Sequence, residues 1–114
     1  MDGQLCTEKW FDRVVVVAAS GDLDMLTAPQ LRAAIDSALT KDPQGLIVDM
    51  TEVAFLGSAG MQVLMEAHNQ TGDATRFAVV ADGPATSRPL KITGIADLIS
   101  LFSTLDDALQ NFAA

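Results

Sequence analysis

Residues 46–68, LIVDMTEVAFLGSAGMQVLMEAH, change from a strand pattern to a helix pattern within one stretch. Residues 46–50 are apolar at nearly every position, which is typical of a central parallel strand that is buried on both faces. After a predicted turn at Thr51-Glu52, apolar residues continue up to Gly57-Ser58-Ala59-Gly60. The next apolar side chains recur at helical spacing: Met61, Leu64, Met65 and His68. The stretch therefore predicts a buried strand whose end leads into a helix.

Upstream of this stretch, the chain again places strand patterns before a helix pattern. Residues 14–19 are a β-branched run that predicts a buried strand, with a weaker strand beside it at residues 5–10. A helix is expected from Thr27, which would cap it with Gln30 as the capping-box partner, to about Lys41. Its apolar stripe consists of Leu31, Ala34, Ile35, Ala38 and Leu39.

Downstream, the pattern predicts two more strands and two more helices. The apolar residues 77–81 predict a further strand, and residues 98–102 predict a short edge strand. Pro84 is expected to open a helix that runs to about Ile92, and Thr104 to cap the last helix. The inner stripe of that last helix consists of Leu105, Ala108, Leu109 and Phe112.

Strands that alternate with helices over 114 residues predict one α/β domain spanning residues 1–114. The expected fold is a mainly parallel β-sheet of about four to five strands covered by about four helices, with right-handed crossovers. The chain has no run of about 18 apolar residues, the length that a membrane span needs. Met1-Asp2-Gly3-Gln4 lacks the basic start of a secretory signal. We therefore expect a cytoplasmic protein.

Charge and cysteine content argue against several classes of partner and site. Seven Lys and Arg against fifteen Asp and Glu give a net charge of −8 at pH 7. Such a surface repels nucleic acid and anionic lipid, so neither is an expected partner. Cys6 is the only cysteine, so no internal disulfide or thiolate metal site can form. We interpret Cys6 as an apolar strand residue, and an intermolecular disulfide under oxidation stays open.

Ser58 lacks the partners that a nucleophilic serine needs. Its surroundings do not form a glycine-x-serine-x-glycine elbow, and no phosphate-cradling loop is found at the strand ends. The only histidine, His68, follows ten residues later, roughly 15 Å along the same predicted helix. We interpret His68 as a packed or boundary residue, and we expect no metal, no cofactor and no catalytic site.

A phospho-accepting receiver site is a second alternative. Asp22 and Asp24 follow one predicted strand and Asp49 ends another, as the acidic pocket of such a site requires. A receiver also needs a lysine at a later strand end, whereas Lys91 falls inside a predicted helix. The pattern therefore disfavours a receiver.

Residues 48–61, VDMTEVAFLGSAGM, resemble the central motif of STAS domains, specifically of bacterial anti-sigma factor antagonists. In that family a strand ending in aspartate leads to a phenylalanine and then to a serine-small-glycine turn that opens a helix. Gly21-Asp22-Leu23-Asp24 is similar to the family's glycine-acid-x-aspartate loop. Residues 88–102 resemble the segment before its last helix, and residues 106–109 that helix. The resemblance extends from about residue 14 to residue 109.

The resemblance implies a switch between protein partners. The unmodified chain would bind an anti-sigma factor, typically a serine kinase, and so release a sigma factor. Phosphorylation of Ser58 would end that binding, and a serine phosphatase would restore it. The expected contact residues are Leu23, Asp24, Gly57, Ser58, Ala59, Gly60 and Met61. Two positions depart from the family pattern, because many members have aspartate where Gly57 stands and a hydroxyl residue where Ala59 stands.

The role of Ser58 depends on which residue caps the second long helix. Serine before an apolar stripe is usually the cap itself, with its oxygen bound to a helix amide. If Gly57 takes the cap position, Ser58 becomes the first helical residue and its hydroxyl faces solvent. The resemblance to the STAS motif favours this second arrangement, which is the one we predict. Asp24 would either pair with an arginine of the kinase or act as a turn residue. Asp49 is interpreted as a structural residue at the end of its strand. The alternative function for the whole protein is a sensor that binds a nucleotide or another small ligand.

Overall fold

The computed structural model describes residues 5–113, so the prediction for Met1–Gln4 lies outside the described residues. Five strands form one sheet in chain order, and every neighbouring pair is parallel except the first two strands, which are antiparallel. This confirms the mainly parallel α/β fold. The strands are β1 (Cys6–Phe11), β2 (Val14–Leu23), β3 (Gly45–Leu56), β4 (Arg76–Val80) and β5 (Ser100–Phe102).

Four α-helices cover the two faces of the sheet unequally. The helices are α1 (Ala28–Leu39), α2 (Ser58–Thr71), α3 (Ser87–Ile92) and α4 (Leu105–Ala113), with one 3₁₀ turn at Ile95–Asp97. Buried side chains of α1, α2 and α3 belong to one hydrophobic cluster, whereas α4 packs into a second cluster. Within residues 5–113, no helix combines the length and apolar character needed to cross a membrane.

The two clusters follow from the alternation of side chains along each strand. Val15 and Val17 face the three-helix side and are both 0% exposed. Val16, between them, faces the opposite side, where it shares a cluster with Ile47 of β3 and Ala108 of α4. Strands β2 and β3 are therefore buried on both faces over their first halves, as their unbroken apolar runs indicate.

The second halves of β2 and β3 differ from the prediction. The predicted turn at Thr51-Glu52 is wrong, because β3 continues through it to Leu56, and β2 continues beyond residue 19 to Leu23. Pairing passes from Ala18 with Asp49 to Ser20 with Glu52, so β3 accommodates an extra residue as a bulge. A second register shift follows Gly21, whose positive φ of 78° is one that glycine adopts readily.

The structure agrees with one of three predicted helix starts and differs from the other two. The capping box at Thr27 and Gln30 is wrong: Thr27 precedes α1 but makes no side-chain cap. Helix α3 begins at Ser87 rather than Pro84, because residues 84–86 form a turn. The cap at Thr104 is confirmed, since its hydroxyl accepts a hydrogen bond from the Asp107 amide at 3.1 Å.

The remaining predicted boundaries hold within one or two residues. Strand β4 lies at residues 76–80 instead of 77–81. Strand β5 begins at Ser100 rather than Leu98, because the Leu98 amide closes the 3₁₀ turn on the Ile95 carbonyl at 2.9 Å.

Candidate functional site

Ser58 is the first residue of α2 and is exposed to solvent. Gly57 occupies the cap position in an extended conformation, with φ −89° and ψ 178°, and α2 has no side-chain cap. The Gly57 carbonyl accepts the first helical hydrogen bond, from the Met61 amide at 3.1 Å. This is the geometry predicted from the sequence, with the serine hydroxyl outside the capping interaction.

Other hydroxyl residues at helix starts are engaged locally. Ser87, the first residue of α3, donates its hydroxyl to the Gly83 carbonyl at 2.9 Å. Thr104 caps α4 through the Asp107 amide. Ser58 thus differs from both in presenting a hydroxyl that does not close its helix.

The turn before Ser58 is held against the end of β2. The Gly57 amide donates to the Leu23 carbonyl at 2.9 Å. Gly60 lies so close to the strands that an added Cβ would be 2.8 Å from Leu56 Cδ1. These contacts fix the position of Ser58 relative to the sheet.

Two of the expected contact residues are corrected by the same packing. Leu23 is 0% exposed and belongs to the core, and Gly60 is buried on the face of α2 that packs against the sheet. Neither can offer surface to a partner in this structure. The other expected contact residues are half-buried. Three of them lie around the exposed Ser58 at the start of α2, namely Gly57, Ala59 and Met61, and the fourth, Asp24, directly follows β2.

Asp24 organises the loop between β2 and α1. Its Oδ1 accepts hydrogen bonds from the Leu26 amide at 2.9 Å and the Thr27 amide at 3.1 Å. The Thr27 hydroxyl donates to the Asp22 carbonyl at 2.6 Å and accepts from the Asp24 amide at 2.9 Å. The bond from the Leu26 amide, followed by those from the Thr27 hydroxyl and amide, holds the pKa of Asp24 below its ordinary value. Asp24 therefore acts as a turn residue.

Three exposed apolar side chains beside this loop were not selected from the sequence. Met25 is 78% exposed, Leu26 81% and Phe55 52%. The available signal was the pair of large apolar residues between Asp24 and Thr27, outside any helical stripe. Phe55 was part of the quoted motif, but strand alternation does not predict an exposed ring beside the turn.

A shallow groove connects Met25 and Phe55 to Ser58. It has a volume of about 550 Å³ and is lined by Asp24, Met25, Phe55, Gly57, Ser58, Ala59 and Gln62. A smaller hollow of about 180 Å³ shares Met25, Ala59 and Gln62 and extends along α1 to Arg32. Arg32 forms an ion pair with Glu66 of α2. The groove offers an apolar wall beside an exposed hydroxyl.

Comparison with known proteins assigns the family. The model of the STAS domain family matches residues 9–108 of the chain. The chain belongs to the STAS domain family. The anti-sigma-F factor antagonist RsfB of Mycobacterium tuberculosis is 38% identical over 96 residues, which cover 84% of this chain and 79% of RsfB.

Solved structures of other proteins share the fold of this chain. A crystal structure of an anti-sigma factor antagonist from Mycobacterium paratuberculosis has a TM-score of 0.92 at 41% identity, covering 96% of this chain and 93% of that one. The Bacillus cell fate determinant SpoIIAA, solved in a phosphorylated form, has a TM-score of 0.70 at 19% identity, covering 94% and 98% of the two chains. At that identity the likeness concerns the fold.

The structure gives a physical reason for one departure from the STAS pattern. A Cβ added at Gly57 would lie 3.1 Å from Cε2 of Phe55 and 3.3 Å from the Leu23 carbonyl oxygen. The Phe55 ring thus occupies space next to position 57, where many STAS members have aspartate. A side chain at position 57 would require this ring to shift by a few tenths of an ångström, so the close packing of the Phe55 ring favours glycine there.

Asp49 and His68 lie outside the groove and contact other parts of the fold. Asp49 Oδ1 accepts the Thr51 amide at 3.0 Å and so stabilises the bulge in β3. His68 is half-buried near the end of α2, with its ring 6.4 Å from that of Phe77. Lys91 lies in the last turn of α3, inside a helix as expected. Residues 5–113 contain no group of three potential metal-binding acid, histidine or cysteine side chains.

Proposed function

We propose that this STAS protein is an anti-sigma factor antagonist whose binding is switched off by phosphorylation of Ser58. The names of relatives at 38% and 41% identity support the general function. The observation that carries the switch is the exposed hydroxyl at the first position of α2, outside the cap. A kinase can reach such a hydroxyl without unfolding the helix.

Phosphorylation at this position adds about −1.5 to −2 charges where the helix dipole favours an anion. The 14-residue helix α2 therefore tolerates the modification without refolding. A partner docked over the groove responds differently, because burying the dianion against an apolar surface costs several kcal/mol. Since every ~1.4 kcal/mol changes affinity tenfold, a loss of about two to three decades follows from a local electrostatic effect.

In this proposal the partner is a cytoplasmic anti-sigma factor that is also the serine kinase, and a serine phosphatase reverses the modification. The contact surface comprises Asp24, Gly57, Ser58, Ala59 and Met61, together with the exposed side chains of the groove. The chain acts as a binding protein, not as an enzyme, and uses no cofactor. Its net charge of −8 argues against a direct contact with nucleic acid or with an anionic membrane.

Mapping the phosphorylated residue tests the switch. The chain is incubated with Mg-ATP and the Mycobacterium tuberculosis anti-sigma-F factor, the protein that RsfB is named for antagonising. We expect one acid-stable phosphate on Ser58, no phosphate on Ser58→Ala, and normal modification of Ser87→Ala, whose hydroxyl is already hydrogen-bonded. Phosphate on another residue contradicts the switch. Tight binding of GTP or ATP by the chain alone favours a ligand sensor instead.

A further inference from the structure

We propose that Met25, Leu26 and Phe55 form an apolar anchor that supplies most of the affinity for the anti-sigma factor. This inference rests on the proposed function and assigns a binding role to residues that the switch itself does not require. The three residues are called the anchor below. The phosphorylation state of Ser58 then determines whether the anti-sigma factor can bind, and the anchor determines the affinity of that binding.

The exposure of the anchor is the first observation. Met25 and Leu26 are 78% and 81% exposed, more than any other large apolar side chain in residues 5–113, of which Ile92 follows at 72%. The core needs neither of them, because α1 packs through Ala28, Leu31, Ile35 and Ala38. Adjacent apolar side chains next to a groove are typical of a contact surface.

The loop that carries Met25 and Leu26, two of the three anchor residues, is held in place before any partner arrives. Asp24 Oδ1 binds the Leu26 and Thr27 amides, and the Thr27 hydroxyl ties the same loop to the Asp22 carbonyl. Ordering a loop on binding costs free energy that a preorganised loop has already lost on folding. The internal bonds of Asp24 thus position the two apolar side chains beside it.

The charge around the groove indicates the chemistry of the partner surface. Asp24 lines the groove and, with its lowered pKa, stays ionised at neutral pH. Asp22 is exposed and pairs with Phe55 across β2 and β3. Among the described residues lining the 550 Å³ groove there is no lysine or arginine, and Arg32 of the adjoining hollow is paired with Glu66. The complementary surface of the anti-sigma factor therefore presents apolar side chains flanked by lysine or arginine.

The anchor and the switch come from different segments of the chain, although Met25 and Phe55 line the same groove as Ser58. Ser58 belongs to the start of α2, whereas Met25 and Leu26 belong to the loop before α1. Leu26 does not line that groove, so the effect of its loss and the effect of a negative charge at Ser58 on affinity should multiply. A buried cluster of large side chains commonly dominates the energy of an interface.

Titration of the Mycobacterium tuberculosis anti-sigma-F factor with variants of the full chain tests the inference. Leu26→Ser and Met25→Ser are expected to raise Kd by roughly tenfold or more each, since hot-spot truncations have such effects. Leu98→Ser is the matched control, because Leu98 is 57% exposed but lies beside β5, away from the groove. Its Kd should stay within about twofold of wild type. Thermal unfolding of each variant verifies that these surface changes leave the fold intact.

The outcomes separate the anchor from the switch. If Ser58→Glu weakens binding but Leu26→Ser and Met25→Ser bind like wild type, the anchor is overturned while the switch stands. If Leu98→Ser weakens binding as much as Leu26→Ser, the effect is not specific to the anchor, which also overturns it. The double variant Leu26→Ser/Ser58→Glu should show the product of the single effects. Absence of wild-type binding overturns the proposed function, and the anchor with it.

Discussion

Gly60 of α2 packs so closely on Leu23 of β2 that a Cβ on the glycine would lie 3.0 Å from the Leu23 Cβ. Leu23 is fully buried and belongs to a strand, so it cannot move aside. The absence of a side chain at position 60 therefore lets the first turn of α2 rest on the end of the sheet. That contact sets where Ser58 stands on the surface.

Replacing Gly60 with alanine should destabilise the protein. The added methyl group meets Leu23 and Leu56, and overpacking of this kind costs about 1–3 kcal/mol. Alanine gains up to about 1 kcal/mol in helix propensity over glycine. We expect a net loss of about 1 kcal/mol in the free energy of unfolding, measured by urea denaturation. A Gly60→Ala protein as stable as wild type would show that the approach of α2 to β2 is looser than described.

Removing the Ser58 hydroxyl should leave stability unchanged. Since the hydroxyl does not cap α2, Ser58→Ala should alter the free energy of unfolding by no more than about 0.5 kcal/mol. Thr104→Ala is the control, because that threonine does cap a helix and its loss should cost about 1 kcal/mol. Equal destabilisation of the two variants in thermal or urea unfolding would assign a capping role to Ser58.

The charge of Asp24 should contribute to stability only above a defined pH. Hydrogen bonds from the Leu26 amide and from Thr27 lower the pKa of Asp24 below its ordinary 3.8 in the folded protein. A carboxylate with a lowered folded-state pKa stabilises the fold above the unfolded pKa, and the contribution disappears as pH falls through the folded pKa. Wild type should therefore exceed Asp24→Asn in stability above about pH 4, with the difference shrinking below it.

Urea unfolding of both proteins between pH 2 and pH 7 measures this difference. Asp22→Asn serves as the control for a general change in net charge. A difference between wild type and Asp24→Asn that grows as the pH falls would contradict the assignment of the loop hydrogen bonds.

Cys6 should react slowly while the protein is folded. Burial raises the pKa of its thiol from 9.0 to about 11, so the thiolate fraction at pH 8 falls by about a hundredfold. Alkylation by iodoacetamide should accordingly be at least about 100-fold slower in the native protein than in urea. Comparable rates in the two states would mean that the start of β1 opens readily.

Periodicity predicted the elements but not the way that β2 and β3 pair. The apolar runs at residues 14–17 and 46–50 correctly indicated strands buried on both faces. Thr51-Glu52 was misread as a turn because a bulge uses the same polar residue types, and only the neighbouring strand reveals the register shift.

The candidate site was predictable in part. The order glycine, serine and apolar stripe indicated a helix start but favoured Ser58 as the cap, and only the resemblance to the STAS motif favoured Gly57, which is the cap in the structure. The burial of Leu23 and the exposure of Met25 and Leu26 depend on where β2 ends, which the sequence pattern placed four residues too early. Contact surfaces that arise from such tertiary boundaries are not visible in a single sequence.

Calorimetric titration of one anti-sigma factor with two forms of this chain, unmodified and stoichiometrically phosphorylated on Ser58, tests the switch most directly. The account predicts that the phosphorylated form keeps its fold by circular dichroism but binds with a Kd about 100- to 1,000-fold higher. Equal Kd values for two folded forms would contradict it.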